Sequence, residues 1–165
     1  MKKNVIVSLA DSNYFNLLNE LVDSIKSFEK SKDVAICILD AGLSEEQKNI
    51  LSKKVDEIKS AEWDIDVPAF KVKGREWLKS QVSRAFLPKY FPNYEKYLWI
   101  DCDAWVNSWD SVELYFKACE NGKLGITQTL GPGYKIMSKV KWLFGKIAII
   151  KSQNFKHAIK SKIGI

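Results

Sequence analysis

The chain reads as an α/β protein, a mostly parallel sheet flanked by helices. Three observations point there. Two strand–helix units succeed one another directly from the N-terminus, the strands are short continuous apolar runs rather than alternating ones, and each run stops at a polar turn that begins a helix. Continuous apolar strands are buried on both faces, and strands alternating with helices pair in parallel through right-handed crossovers.

Asn4 to Leu9 is the first such strand, and Ala10-Asp11-Ser12-Asn13 is a polar turn able to cap a helix. From Tyr14, residues Phe15, Leu18, Leu21, Val22, Ile25 and Phe28 recur at three- and four-residue spacing, one face of an amphipathic helix. Val34 to Leu39 is a second strand, ending at Asp40-Ala41-Gly42. Ser44-Glu45-Glu46-Gln47 is a capping-box pattern, with Ile50, Leu51, Val55 and Ile58 as the apolar face of the helix it opens. A short strand is expected over residues 65–70, at an edge or irregular because of Pro68. Glu76 to Tyr90 has helical spacing through Trp77, Val82, Ala85 and Phe86, with polar positions at Lys79, Gln81 and Arg84, and Pro88 should kink or end it.

Tyr97 to Ile100 is the next strand, and Ser108 caps a helix carrying Val112, Leu114, Tyr115, Phe116 and Cys119. Asn121-Gly122 ends that helix, and residues 124–127 read as another strand. Gly131-Pro132-Gly133 is a break. Beyond it, Ile136, Val140, Leu143, Phe144 and Ile147 fit a helix face, while Ile147 to Ile150 also fit a strand, with a short helix after it from Gln153 to Lys162. No repeat or linker interrupts the chain, so one domain is expected over 1–165, with a core at 4–128 and a basic segment at 131–165.

Composition narrows the classes. With 165 residues, 46% hydrophobic and 28% charged, the chain can bury a core, which argues against disorder. Cys37, Cys102 and Cys119 are odd in number and far apart, which argues against a disulfide framework or a zinc site and suits a reducing compartment. Val5-Ile6-Val7 is too short a run for a leader or a membrane span, so a cytoplasmic location is expected. Nine of the 26 basic residues and none of the 20 acidic ones come after Glu120, so the net +6 divides into +9 after that residue and −3 up to it. Lysines around Trp142, Leu143 and Phe144 suit peripheral association with an anionic membrane surface. Net charge alone supports nucleic acid, which is not expected as a partner.

Asp101 and Asp103 interrupt an apolar run that resumes at once. Ionised carboxylates there need a cationic partner. In an extended segment both point to one side, about 7 Å apart, where they can converge on a hard divalent cation. The plain alternative is that one caps a turn and the other is solvated. In open α/β sheets ligands collect at the carboxyl ends of strands, and Asp11 ends the first strand on the same edge. Paired carboxylates repel a bare phosphate, so bound Mg²⁺ or Mn²⁺ is the natural mediator of diphosphate binding. Arg84 can then reach the base, ribose or phosphate of such a ligand, or pair with a neighbouring acid.

The segments V-I-V-S-L-A-D-S-N-Y at 5–14, S-Q-V-S-R-A-F-L-P at 80–88 and K-Y-L-W-I-D-C-D-A-W-V at 96–106 together resemble the N-terminal donor-binding half of a GT-A fold glycosyltransferase, most similar to family 8. The resemblance covers residues 4–128. It implies a Rossmann-like nucleotide-sugar-binding domain that uses Mn²⁺ or Mg²⁺ and a UDP-sugar donor, and retains anomeric configuration on transfer to a glycan or lipid-linked acceptor. It implies that Asp101 and Asp103 hold the metal, with Cys102 between them where alanine is usual. It further implies that Ala10, Asp11 and Asn13 form the nucleotide-contacting turn, that Tyr14 stacks near the uracil, and that Arg84 contacts the donor. No catalytic residue is assigned.

Two departures accompany the resemblance. The family's C-terminal histidine segment, H-x-x-G-x-x-K-P-W, has no counterpart, and the lone His157 lies in a lysine-rich stretch and reads as structural or exposed. The family's N-[AS]-G is replaced near Gly145-Lys146-Ile147. The acceptor-binding part is therefore expected to be shortened, divergent or missing, with a non-catalytic donor-binding fragment as the alternative. A nucleotidyltransferase is a further alternative, disfavoured because the turn after the first strand lacks the glycines of a phosphate cradle.

Overall fold

A computed structural model describes residues 2–126, 140–143 and 146–150. The chain divides into two compact units, residues 1–125 and 126–165.

In the first unit, β1 (Asn4–Ala10) leads through a 3-10 turn into α1 (Phe15–Lys26), β2 (Val34–Asp40), α2 (Glu45–Ser52) and β3 (Glu57–Ser60). Three short helices come next, α3 (Ala69–Val72), α4 (Lys79–Ser83) and α5 (Leu87–Tyr90), then β4 (Lys96–Trp99) and α6 (Trp109–Ala118). The strands form one parallel sheet in the order β3-β2-β1-β4. The expected α/β class, a parallel sheet flanked by helices, is what forms.

Burial explains why β1 and β2 are continuous apolar runs. Ile6 and Ala10 of β1 pack on one face with Leu18, Leu21, Val22 and Ile25 of α1 and with Val112 and Phe116 of α6. Val5, Val7 and Leu9 pack on the other with Leu87, Tyr90 and Phe91. A fully buried leucine or isoleucine contributes about 1.5–3 kcal/mol, so these two layers carry most of the stability. The caps also form as expected. Gln47 N–H donates to Ser44 Oγ at 3.2 Å while Ser44 N–H donates to Gln47 Oε1 at 2.9 Å, and Asp110 N–H donates to Ser108 Oγ at 3.3 Å.

Several expectations are corrected. Ile58 belongs to β3 and not to the preceding helix, which stops at Ser52. Val55 and Ile58 pack against the same core as Leu51, so a helical spacing continued across two elements. Residues 65–68 form no strand, and Ala69–Val72 is helical. The stretch before α3 is tied down by side chains instead. Lys89 Nζ bridges Glu62 Oε2 at 2.8 Å and Asp64 Oδ1 at 2.9 Å, and Tyr90 OH donates to Asp64 Oδ2 at 2.8 Å.

The helix expected over 76–90 is broken into a 3-10 turn, α4 and α5, with Pro88 in the first turn of α5, where its missing N–H costs nothing. Residues 124–126 are not strand. A Cβ on Gly125 would lie 2.9 Å from Ala118 Cβ, so glycine permits the chain to lie against α6 there.

In the second unit, β5 (Val140–Leu143) pairs antiparallel with β6 (Lys146–Ile150), with an irregularity between Trp142 and Leu143. The helix face through Val140 and Leu143 is therefore replaced by strand, and the strand alternative at 147–150 holds. Residues 127–139, the Gly131-Pro132-Gly133 break among them, and the helix expected over 153–162 with His157 lie outside the described residues.

Candidate functional site

The strand order locates the site. From β1 the chain moves outward to β2 and β3, then returns to the opposite side of β1 as β4. At such a reversal the loops leaving the two central strands diverge, opening a crevice at their carboxyl ends. Asp11 comes directly after β1, and Asp101 comes after β4 and Ile100, whose N–H still donates to Val7 O at 3.1 Å.

A cleft of about 280 Å³ opens there. Ala10, Asp11 and Tyr14 line it from the end of β1, and Asp101, Cys102 and Asp103 from the end of β4. Trp77, Ser80, Gln81 and Trp99 complete most of the wall. A larger hollow of about 460 Å³ beside β3 includes Asp40, Lys48 and Asp56. Its acids are already engaged: Asp40 with the Gly42 and Leu43 N–H groups and Lys48, and Asp56 with Lys2 and the Ile36 N–H. It therefore offers a ligand less than the smaller cleft does.

Within the cleft, Asp11 acts first as a cap. Its Oδ1 accepts from Asn13 N–H at 2.9 Å and Tyr14 N–H at 3.2 Å, holding the turn that starts α1. Asn13 does not line the cleft; its side-chain amide donates to Asp11 Oδ2 at 3.4 Å. Tyr14 is 46% exposed, its ring open to a stacking partner.

Asp101 and Asp103 are not in an extended segment. Ala104 N–H donates to Asp101 O at 3.0 Å, closing a turn directly after the strand, so the side-alternation expected for these residues does not apply. Both still line one cleft. The alternation holds one step earlier, where Trp99 and Asp101 fall on the same side. Trp99 Nε1–H donates to Asp101 Oδ1 at 2.8 Å. Arg84 donates to that oxygen at 3.3 Å, and its Nε–H donates to Ser80 O at 2.9 Å.

The cleft is electronegative. Burial pushes the Cys102 thiol up to about 11, and Asp103, Asp101 and Asp11 add to the rise in that order of influence where charge acts. A thiol is a soft donor, so the hard oxygen donors of the cleft are its carboxylates. Asp103 has no cationic or hydrogen-bonding partner among the described residues. No group of three or more His, Cys, Asp or Glu side chains there is arranged to hold a metal. Two carboxylates and an acidic surrounding fit a hard cation of the Mg²⁺ or Mn²⁺ type that completes its shell with water and ligand oxygens.

Three wall residues escape a reading of the sequence. Trp77 reads there as a helix-face residue, Trp99 as strand core, and Ser80 carries no signal of its own. The one available signal is the two-residue spacing between Trp99 and Asp101.

The family model described as glycosyl transferase family 8 matches residues 5–158. Among solved structures, an active-site mutant of LgtC matches with a TM-score of 0.50 at 24% identity, covering 67% of this chain and 41% of that one. The galactosyltransferase LgtC in complex with donor and acceptor sugar analogues matches with a TM-score of 0.48 at 24% identity, covering 66% and 41%. The chain thus spans less than half the length of these solved chains. No curated protein matches.

Proposed function

The chain belongs to glycosyl transferase family 8, has the GT-A type of fold, and on that premise we propose that its first unit is the donor-binding part of a metal-dependent glycosyltransferase. The donor is a UDP-sugar, the acceptor a glycan or a lipid-linked glycan, and transfer retains anomeric configuration. One observation carries this reading: Asp101 and Asp103 line a cleft where the strand order reverses, and Arg84 pairs with Asp101 there.

In this reading Asp101 and Asp103 would hold Mn²⁺ or Mg²⁺, which would supply Lewis-acid stabilisation of the charge on a departing nucleoside diphosphate. Arg84, kept in place by the Ser80 carbonyl, turns its guanidinium to a phosphate or to the sugar. Tyr14 stacks on the base, while Asp11, braced by Asn13, shapes the turn whose Ala10 and Asp11 contact the nucleoside. Cys102, half-buried, packs against the apolar core at the wall of the cleft.

A cytoplasmic location, with the lysines after Glu120 lying against an anionic membrane surface, accompanies the reading. Among the described residues no helix is long and apolar enough to cross a membrane. A second reading, a donor-binding chain without transfer activity, is favoured by the replacement of the family's N-[AS]-G near Gly145-Lys146-Ile147.

Calorimetric titration of UDP with Mn²⁺, after chelation, and on Asp103→Asn tests the donor site. Metal-dependent binding lost in the variant is expected; absence of binding under every condition removes the proposal. Incubation with UDP-sugars then separates the two readings, since the second yields bound donor and no released UDP.

A further inference from the structure

Asp101 is held before any ligand arrives. Trp99 and Asp101 leave β4 on one side, and the Trp99 ring packs against the apolar layer that includes Val7 and Leu87, its backbone opposite Val7 in the parallel register. From that anchored ring the indole N–H reaches Asp101 Oδ1 at 2.8 Å, within the range of a charge-assisted hydrogen bond. Arg84 spans the same pair. Its guanidinium carbon lies 5.2 Å from the Trp99 ring centroid and one of its nitrogens 3.3 Å from the same Oδ1. Two donors therefore share Oδ1, while Oδ2 has no donor among the described residues.

We propose that Trp99 is a positioning residue: its indole N–H fixes the Asp101 carboxylate so that Oδ2 is the oxygen offered to a divalent cation. This rests on the reading of Asp101 as a metal ligand. A carboxylate on an exposed turn is otherwise free to rotate, and binding would require it to be ordered. The indole has a single donor and no acceptor, so it can hold an anionic oxygen but cannot compete for the metal. Phenylalanine at this position would keep an aromatic ring beneath Arg84 and lose the donor, with a smaller loss of packing against the apolar layer.

The test is Mn²⁺ binding, monitored by the electron paramagnetic resonance of the free ion, with and without UDP. Trp99→Phe is expected to weaken Mn²⁺ binding about ten- to a hundredfold, the usual effect of removing a partner of a metal ligand. Trp105→Phe, an exposed tryptophan outside the cleft, should bind as the parent does. A folded Trp99→Phe with unchanged affinity, beside an Asp101→Asn that binds no metal, overturns the role of Trp99 alone. A parent chain that binds no Mn²⁺ in either condition overturns this role together with the metal site.

A spectroscopic measurement on the parent decides the matter if Trp99→Phe does not fold. In protein labelled with ¹⁵N-tryptophan, the Trp99 indole N–H resonance, assigned by elimination through the other five single-tryptophan replacements, should shift with Mg²⁺ and UDP and should move in Asp101→Asn. A resonance indifferent to both overturns the proposal.

Discussion

The guanidinium of Arg84 lies close enough over Trp99 to place its carbon 5.2 Å from the ring centroid while it also pairs with Asp101. Arg84 is thus engaged on the acid proposed to hold the metal, and on that proposal its removal has two effects of opposite sign. Arg84→Ala takes away a cation that competes with bare Mn²⁺. Exposed ion pairs are worth up to about 1 kcal/mol, so the free ion should bind up to about fivefold more tightly. UDP in the presence of Mn²⁺ loses a charged donor and should bind about ten- to a hundredfold more weakly. Calorimetry on the variant with each ligand reads both, and equal affinities to the parent for both would show that Arg84 is only a surface pair of Asp101.

Cys102 provides a probe of the cleft that needs no substitution. Its thiol is pushed up to about 11, first by burial and then by the neighbouring carboxylates, so at pH 8 only about 0.1% is thiolate. Alkylation by a maleimide, read by mass spectrometry at this cysteine, should be slow at pH 7 and accelerate about tenfold per pH unit up to about 10. Mn²⁺ with UDP should suppress it by covering the cleft, and undiminished labelling at saturating ligand would place the nucleotide elsewhere.

Asp40 links the ends of β2 and α2. Burial alone would raise its pKa, but the Leu43 and Gly42 N–H groups at 2.6 and 2.7 Å and Lys48 at 3.1 Å outweigh it and hold the pKa below the ordinary carboxylate value. A depressed folded pKa stabilises the protein fully above the unfolded value of about 4, and that stability is lost as pH falls through the folded one. Asp40→Asn should cost about 1–3 kcal/mol at pH 7 by leaving these donors poorly matched, and the gap between parent and variant should close below about pH 4. Urea unfolding across pH 3 to 7 measures it.

Ser8 is the opposite case. It is 2% exposed in the middle of β1, and its hydroxyl has no hydrogen-bond partner among the described residues. Ser8→Ala removes a desolvated polar group and almost no packing volume, so the urea midpoint should rise, by about 1 kcal/mol in stability. A fall of similar size would reveal that the hydroxyl has a partner after all.

What the sequence made legible was whatever depends on neighbours in the chain. The apolar runs of β1 and β2, the Ser44–Gln47 box, the stop at Asn121-Gly122 and the break before Pro88 all derive from local periodicity and capping. Asn121 and Gly122 do adopt left-handed backbone, at φ 60° and 69°. Local reasoning failed where two elements share one core. Val55 and Ile58 kept helical spacing although they lie on either side of the start of β3, and residues 65–70 read as a strand although 65–68 form none and Ala69–Val72 is helical, beyond a stretch whose Glu62 and Asp64 are held by Lys89 and Tyr90.

The site shows the same division. Acids at strand ends were expected on one edge of the sheet, and Asp11, Asp101 and Asp103 do line one cleft there. The alternation argument for Asp101 and Asp103 failed because the chain turns immediately after Ile100, closed by a bond between Ala104 and Asp101 that no periodicity announces. Nor does any local pattern state that β4 lies beside β1, which is what makes Asp11 and Asp101 neighbours of one cleft.

That pairing has a consequence for how the protein comes into being. Asn4 meets Lys96 and Val7 meets Trp99, so one wall of the cleft is synthesised with the first strand and the other only after α5. Chains are made from the N-terminus at a pace slow enough for early segments to settle first. On the ribosome, β1 to β3 emerge while the crevice still lacks its second side, and a nascent chain arrested before Lys96 would carry only one wall of it.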